Sequence, residues 1–138
     1  MEIDPAKRIF VALDTPDLSR GLELARVLKN RIGGMKIGKE FFTSHGPEGV
    51  RKIVEEGIPV FLDLKFHDIP NTVAGAIRAA ISLKPFILNV HAAGGRTMME
   101  AARDAATEEA QSQGSERHLI CLLYTSDAAD DTPCVDLG

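Results

Sequence analysis

The sequence predicts an α/β fold in which parallel strands alternate with helices, and three observations lead to this prediction. Apolar runs typical of strands recur about 25 to 32 residues apart, beginning near Ile9, Met35, Val60, Ile87 and Leu119. The segments between them carry apolar residues at the helical period. The strand cores FVAL, VFLDL and ILNV are largely apolar, as expected for parallel strands buried on both faces.

The first helix is predicted by an apolar face between the first two strands. Its start is expected at Asp17 or Ser19, either of which can cap a helix, and its end at Gly33-Gly34. The residues that recur on this face are Leu18, Leu22, Ala25, Leu28 and Ile32.

Three further helices follow from the same period and from their boundary residues. A short second helix should begin at Pro47 and end at Gly57, a third should begin at Pro70-Asn71, and a fourth after Gly94-Gly95. Their apolar faces comprise Val50, Ile53 and Val54; Val73, Ile77, Ala80 and Ile81; and Met98, Met99, Ala102, Ala105 and Ala106. A doubly wound sheet and a (β/α)₈ barrel both fit this alternation. A barrel needs about 200 residues or more, so these units amount to about half of one.

Composition narrows the class of protein. The chain has 138 residues, 44% of them hydrophobic and 26% charged, which suits one ordinary soluble domain. No apolar run approaches the roughly 18 residues that a bilayer span requires, and no apolar segment of a signal peptide follows Lys7-Arg8. We therefore expect a cytoplasmic protein with no membrane role. The net charge of −4 comes entirely from four aspartates after residue 120, so nucleic-acid binding gains no electrostatic support.

Four charged residues lie where strands are expected to end. Asp14 ends the first strand, Lys36 lies in the second, and Asp63 and Lys65 lie two residues apart in the third. Side chains two apart on a strand point to the same face. Functional side chains of βα proteins gather at the carboxyl ends of their strands, which favours a polar active-site floor. A structural salt-bridge ladder between neighbouring strands is the alternative.

Four motifs resemble the orotidine 5′-phosphate decarboxylase family, in its order and spacing, over residues 9 to about 106. They are VALD at 11–14, MKIGKEFFTSHGP at 35–47, FLDLKFHDIPNT at 61–72 and NVHAAGG at 89–95. The resemblance implies the N-terminal half of a (β/α)₈ TIM barrel, truncated in this chain. It also implies decarboxylation of orotidine 5′-phosphate to UMP, in pyrimidine nucleotide synthesis, without a cofactor or metal.

The resemblance carries roles onto individual residues of this chain. Lys65 matches the ammonium that stabilises and then protonates the carbanion at C6 of the pyrimidine. Asp63 matches the carboxylate beside the departing CO₂. Lys36 would bridge Asp63 and the ribose hydroxyls, and Asp14 would bind a ribose hydroxyl.

The same resemblance implies a homodimer. Asp68 and Thr72, with Ile69 between them, match substrate-binding residues, and Asp68 and Thr72 would reach across a two-fold interface into the neighbouring subunit's site. The catalytic array of Lys36, Asp63, Lys65 and Asp68 would then be complete only in a dimer.

Two other functions remain open from the sequence. The shorter pattern DxKxxD also occurs in magnesium-dependent sugar-phosphate decarboxylases of the same barrel superfamily. A non-catalytic half-barrel that acts as a binding module is the second alternative. His67 is expected to make structural hydrogen bonds, His91 to lie in the core and His45 to be solvated. Gly94-Gly95 is a weak signal for phosphate binding.

The βα pattern is expected to stop after Ile120. We expect residues 1–120 to form about four βα units plus the start of a fifth strand, and residues 121–138 to be a non-native tail. The tail's CLLYTSDAADD back-translates to the sequence of a transposon-type sequencing-library adapter, and Thr125-Ser126 falls inside it. A chain that lacks the late phosphate-binding loops should be inactive by itself, and either poorly soluble or oligomeric.

Independent sequencing of the locus should therefore show a reading frame that departs from the present one near codon 120. The reason is the adapter origin of the tail, since a reading frame that runs through into adapter no longer follows the gene. A native frame that still encodes residues 121–138 would contradict this prediction.

Overall fold

The computed structural model describes residues 4–115 and 118–124 and shows strands alternating with helices. The strands are β1 (Phe10–Leu13), β2 (Gly34–Ile37), β3 (Val60–Phe66), β4 (Ile87–His91) and β5 (Leu119–Leu123). The helices are α1 (Leu18–Leu28), α2 (Lys39–Glu55), α3 (Pro70–Ile81) and α4 (Arg96–Gln113). Short 3₁₀ turns span Pro5–Arg8 and Ala92–Gly94. The predicted α/β class is confirmed.

The strands follow one another in chain order in one sheet, and β1–β2, β2–β3 and β4–β5 are parallel pairs. The chain divides into two compact units, Met1–Asp63 with Leu83–Phe86, and Leu64–Ser82 with Ile87–Gly138. Strand β3 belongs to both, with residues 60–63 in the first unit and residues 64–66 in the second. Within the described ranges, no helix is long and apolar enough to cross a membrane.

The first unit packs α1 and α2 against one face of β1, β2 and β3. Gly21 of α1 lies so close to Leu13, Phe41 and Ile53 that an added Cβ would be 3.2 to 3.4 Å from their side chains. The following core residues are at most 2% exposed: Leu13, Met35, Ile37, Phe41, Val50, Ile53, Val60 and Leu62. This burial is the main stabilising contribution to the unit.

The opposite face of these strands carries aromatic and charged residues. Lys36 of β2 lies in register with Phe61 of β3. The Phe10 ring meets the Phe61 ring edge-on at 6.4 Å and stacks on Phe86 at 6.2 Å. Because side chains alternate along a strand, Asp63 lies on the same face as Phe61 and Lys36.

The second unit packs α3 and α4 together with β4 and β5. Its core residues are at most 4% exposed: Val73, Ile77, Ile81, Leu88, Val90, Met98, Ala102, Ala105, Ala106, Ile120 and Leu122. The alanines of α4 have little side-chain volume, which permits close approach of neighbouring elements.

One predicted helix boundary is wrong, and one helical segment goes beyond the prediction. Helix α1 is capped by Asp17, as expected, but it ends at Leu28, and Asn30 adopts a left-handed φ of 66°. Ile32 therefore lies beyond the helix, since a left-handed residue ends the helical run. Within helix α2, Gly46, at a φ of 60° and ψ of −164°, separates residues 39–45, which the sequence does not predict to be helical, from a second helical segment that begins at Pro47 as predicted.

Strand β5 also extends past its expected end. It runs to Leu123, three residues beyond Ile120, and pairs with β4 from Ile87–Leu119 to His91–Leu123. The expectation that no strand continues after Ile120 is wrong, because Cys121, Leu122 and Leu123 are apolar and can pair whatever their origin. Residues 125–138, with Thr125-Ser126, lie outside the described residues.

An exposed ion pair links α1 to the end of α2. Arg26 donates to both carboxylate oxygens of Glu56, at 2.7 to 3.1 Å. This hydrogen bond lowers the pKa of Glu56 below its ordinary value. At a pH above the ordinary pKa of a glutamate, the pair therefore stabilises the fold. This stabilisation is lost as the pH falls through the lowered pKa of Glu56. The contribution is small because solvent screens the pair.

Gly34→Ala should destabilise the fold, because its Cβ would lie 2.4 Å from the main-chain oxygen of Pro59 and 2.5 Å from the Phe10 ring. We expect a loss of about 1–3 kcal/mol in the free energy of unfolding, measured by urea denaturation. Gly75→Ala is the matched control. Gly75 has open space around it within α3, so alanine there should be neutral or stabilise by up to about 1 kcal/mol. Equal stability of the two variants would contradict the prediction.

Candidate active site

A buried carboxylate paired with a lysine forms the charged centre of the first unit. Asp63 is 5% exposed, and its Oδ2 lies 3.2 Å from Nζ of Lys36. The Lys36 side chain keeps 35% of its surface exposed. A carboxylate that is buried away from water requires a charged or hydrogen-bonding partner. Lys36 is that partner, because the parallel register of β2 and β3 brings it next to Asp63. Lys36 can therefore hold Asp63 and still reach a ligand.

Asp14 comes directly after β1 and is exposed. Leu13, the residue before it, is in register with Ile37 at the end of β2. Asp14 and Lys36 thus belong to neighbouring parallel strands of the first unit, close to their carboxyl ends, where the sequence placed them. Lys36 forms its ion pair with Asp63, and Asp14 is exposed to solvent.

Lys65 has an unusual backbone conformation for a residue in a strand. Its φ is 54°, in the left-handed region, which costs a residue with a side chain about 1–2 kcal/mol. Its N–H donates to Oδ1 of Asn89 on β4, at 2.9 Å. The sequence expectation placed Lys65 on the same face as Asp63 by simple alternation. That rule assumes an extended backbone, so it does not set the direction of Lys65 here.

The segment after β3 exposes the other predicted residues. Asp68 accepts a hydrogen bond from the N–H of Ile69 at 2.7 Å, and Ile69, the N-cap of α3, is 66% exposed. Thr72 lies in the first turn of α3 and is also exposed. An open depression runs along this segment, lined by His67, Asp68, Ile69, Pro70, Ala93 and Gly94.

Two histidines of the second unit lie together. The rings of His67 and His91 are 5.3 Å apart and tilted by 42°. His67 is exposed, while His91, at the end of β4, is half-buried. In residues 4–115 and 118–124, no group of three or more His, Cys, Asp or Glu side chains is arranged to hold a metal ion.

Sequence reasoning missed Asn89 and misjudged His45. Asn89 is 3% exposed, and the signal that could have found it is an amide inside the apolar core ILNV. His45 was expected to be solvated. It is half-buried in α2, where its ring packs 4.9 Å from that of Phe41 and its Nε2 hydrogen-bonds the carbonyl oxygen of Pro16.

Parallel strands that alternate with helices and lie in chain order in one sheet define the TIM-barrel class, because a doubly wound sheet would reverse the strand order. The chain belongs to the orotidine 5′-phosphate decarboxylase / HUMPS family, whose profile matches residues 7–134. The resemblance drawn from the four sequence motifs is thereby confirmed. The matched interval runs past residue 120, so it does not mark where the expected tail begins.

Individual relatives agree with this assignment. The orotidine 5′-phosphate decarboxylase of Rhodospirillum rubrum is 54% identical over 132 residues, which cover 94% of this chain and 52% of that protein. Among solved structures, an uncharacterized conserved protein from Geobacillus kaustophilus matches with 38% identity and a TM-score of 0.74, covering 88% of this chain and 56% of that one. The orotidine 5′-phosphate decarboxylase from Lactobacillus acidophilus matches with 29% identity and a TM-score of 0.73, covering 89% and 55%. The chain spans about half the length of the curated relatives it matches.

Lys36→Met should destabilise the first unit by about 1–3 kcal/mol, because it removes a charged partner from a buried carboxylate. Replacing both partners, as Lys36→Met with Asp63→Leu, should recover much of that loss. Chemical denaturation measures both variants. Arg20→Met, which breaks the exposed Arg20–Glu23 pair, is the control and should change stability by less than about 0.5 kcal/mol. A Lys36→Met variant as stable as this control would contradict the prediction.

Proposed function

We propose that this chain is the N-terminal half of an enzyme that decarboxylates orotidine 5′-phosphate to UMP. The observation that carries the proposal is strand β3, which holds a buried carboxylate paired with Lys36 and, two residues later, a lysine in a left-handed backbone conformation. The family and the names of the relatives support the same reaction.

The chemistry requires a positive charge beside C6 of the pyrimidine. Loss of CO₂ leaves an electron pair on C6 with no conjugated acceptor to share it. The ammonium of Lys65 would stabilise this carbanion and then give C6 a proton, so the lysine leaves the step neutral. A cofactor is not required for that balance of charge and proton.

The remaining residues of the first unit would bind and orient the substrate. Asp63 would lie beside the departing carboxylate, where it acts by repulsion or by positioning the lysine. Lys36 would bridge Asp63 and the ribose hydroxyls. Its ion pair with Asp63 and its partly exposed side chain support this role. Asp14, exposed at the end of β1, would accept a hydrogen bond from a ribose hydroxyl.

We also propose a homodimer in which Asp68, Ile69 and Thr72 serve the partner's site. All three are exposed, and Ile69 is a large apolar residue with 66% of its surface open to solvent. A two-fold interface would cover it. The enzyme would be cytoplasmic, with no nucleic acid or membrane as a partner.

Lys65→Ala, in the protein encoded by the uninterrupted gene, should lower kcat by about 1,000-fold or more while the circular dichroism spectrum stays unchanged, because it removes both the charge and the proton donor. Lys84→Ala is a matched control, since Lys84 is also a lysine with a left-handed φ, of 56°, but lies in the loop before β4. The Lys84→Ala enzyme should have the kcat of the wild type for orotidine 5′-phosphate. A Lys65→Ala enzyme with full activity would favour a non-catalytic module. Loss of wild-type activity in excess chelator would favour the magnesium-dependent alternative.

Mixed dimers test the shared site. Lys65→Ala and Asp68→Asn subunits, each inactive alone, should regain about a quarter of wild-type activity when they are unfolded together and refolded as an equal mixture. Half of the dimers are then mixed, and each has one site with a native Lys65 and a native Asp68 from opposite subunits. If Asp68 serves its own subunit's site, no mixed dimer has a complete site, and the mixture stays inactive.

A further inference from the structure

The left-handed backbone at Lys65 stands apart from the other positions of its kind. In the described part of the chain, the non-glycine residues with a positive φ are Asn30, Lys65 and Lys84. Asn30 and Lys84 lie in connections, where such angles are common, whereas Lys65 lies inside β3. A strained conformation within a strand persists only when its surroundings hold it in place.

Asn89 is the side chain that holds this position. Its Oδ1 accepts the hydrogen bond from the N–H of Lys65, at 2.9 Å. Asn89 lies on β4 between Leu88 and Val90, both fully buried, and is in register with Cys121 of β5. The amide is therefore carried by an internal strand and not by a mobile loop.

An asparagine at this place needs an explanation, since a valine or leucine would suit a buried strand better. A buried amide costs stability unless it is hydrogen-bonded, so its presence indicates that the bonds it makes have a use. The bond to Lys65 joins two residues 24 apart in sequence and fixes the backbone from which the lysine side chain leaves. With an extended φ at this position, the Cβ of Lys65 would leave the strand in a different direction.

We propose that Asn89 is a positioning residue for Lys65: its side-chain oxygen holds the Lys65 backbone in the left-handed conformation and so aims the lysine at the substrate. The inference rests on the proposed function of Lys65 as the charge that stabilises the carbanion. Asn89 need not touch the substrate, because it acts through the backbone of the residue that does.

Asn89→Ser and Asn89→Leu, made in the protein encoded by the uninterrupted gene, remove the oxygen from hydrogen-bonding reach of the Lys65 amide. We expect kcat for orotidine 5′-phosphate to fall on the order of 100-fold, since a displacement of about 1 Å in a catalytic group has that effect. KM should change by less than about threefold, because the groups assigned to ribose binding are intact. If Asn89→Leu does not fold, the kcat of Asn89→Ser, whose side chain is smaller and polar, tests the proposal. An Asn89→Ser enzyme with a kcat within about twofold of wild type overturns the proposal.

Val90→Thr is the matched control for loss of stability. Val90 is the next residue on β4, is fully buried, and a hydroxyl in its place destabilises the strand without altering the amide at position 89. Its kcat per folded molecule should stay within about twofold of wild type. If Val90→Thr lowers kcat as much as Asn89→Ser does, the effect is a general one and the proposal is wrong.

Hydrogen exchange at the Lys65 amide gives a readout that does not depend on turnover. This amide should exchange slowly in the wild type and in Asn89→Asp, which keeps the acceptor oxygen, and at least about tenfold faster in Asn89→Ser. Unchanged exchange in Asn89→Ser overturns the proposal. If the wild-type enzyme shows no turnover of orotidine 5′-phosphate, the proposed function has failed, and the exchange experiment still determines whether Asn89 holds the Lys65 backbone.

Discussion

The ion pair between Lys36 and Asp63 is the interaction on which the candidate site depends. Strand β3 buries Val60 and Leu62 against the helices of the first unit, and Asp63, the fourth of its seven residues, is 5% exposed on the opposite face. A carboxylate so removed from water would be costly alone. The parallel register of β2 and β3 brings Nζ of Lys36 to 3.2 Å from Oδ2 of Asp63. This one contact stabilises the buried carboxylate and also holds together two charged residues of the candidate site.

A second constraint acts on the backbone two residues further along the same strand. Between Asp63 and Phe66 the strand contains a lysine in a left-handed conformation, which regular pairing would not produce. The side chain of Asn89, buried on β4, accepts the hydrogen bond of that residue's N–H. Structure of this kind, in which a buried polar group stabilises a strained residue, is characteristic of functional positions. The strain at Lys65 and the amide in an apolar strand core thus have one explanation.

The exposed segment from His67 to Thr72 has a different physical character. Asp68 makes a local hydrogen bond to the next N–H, and Ile69 is largely exposed at the start of α3. At 66% exposure, Ile69 is not part of the described core of the second unit. Its exposure is instead consistent with a surface that another subunit covers, as the proposed dimer requires.

The sequence by itself determined the order of strands and helices, the start of α1 at Asp17 or Ser19, the start of α3 at Pro70 and the charged residues Lys36 and Asp63, because periodicity, capping and charge in an apolar strand are local signals. It did not reveal the early start of α2 at Lys39, since Gly38 offers no side-chain cap. Only the tertiary structure decided the backbone conformation at Lys65 and its hydrogen bond to Asn89. These two residues lie 24 positions apart, and the hydrogen bond that joins them exists only once β3 and β4 are in place. A pattern of residue types records which side chains are buried, but a contact between distant strands depends on how the chain brings them together.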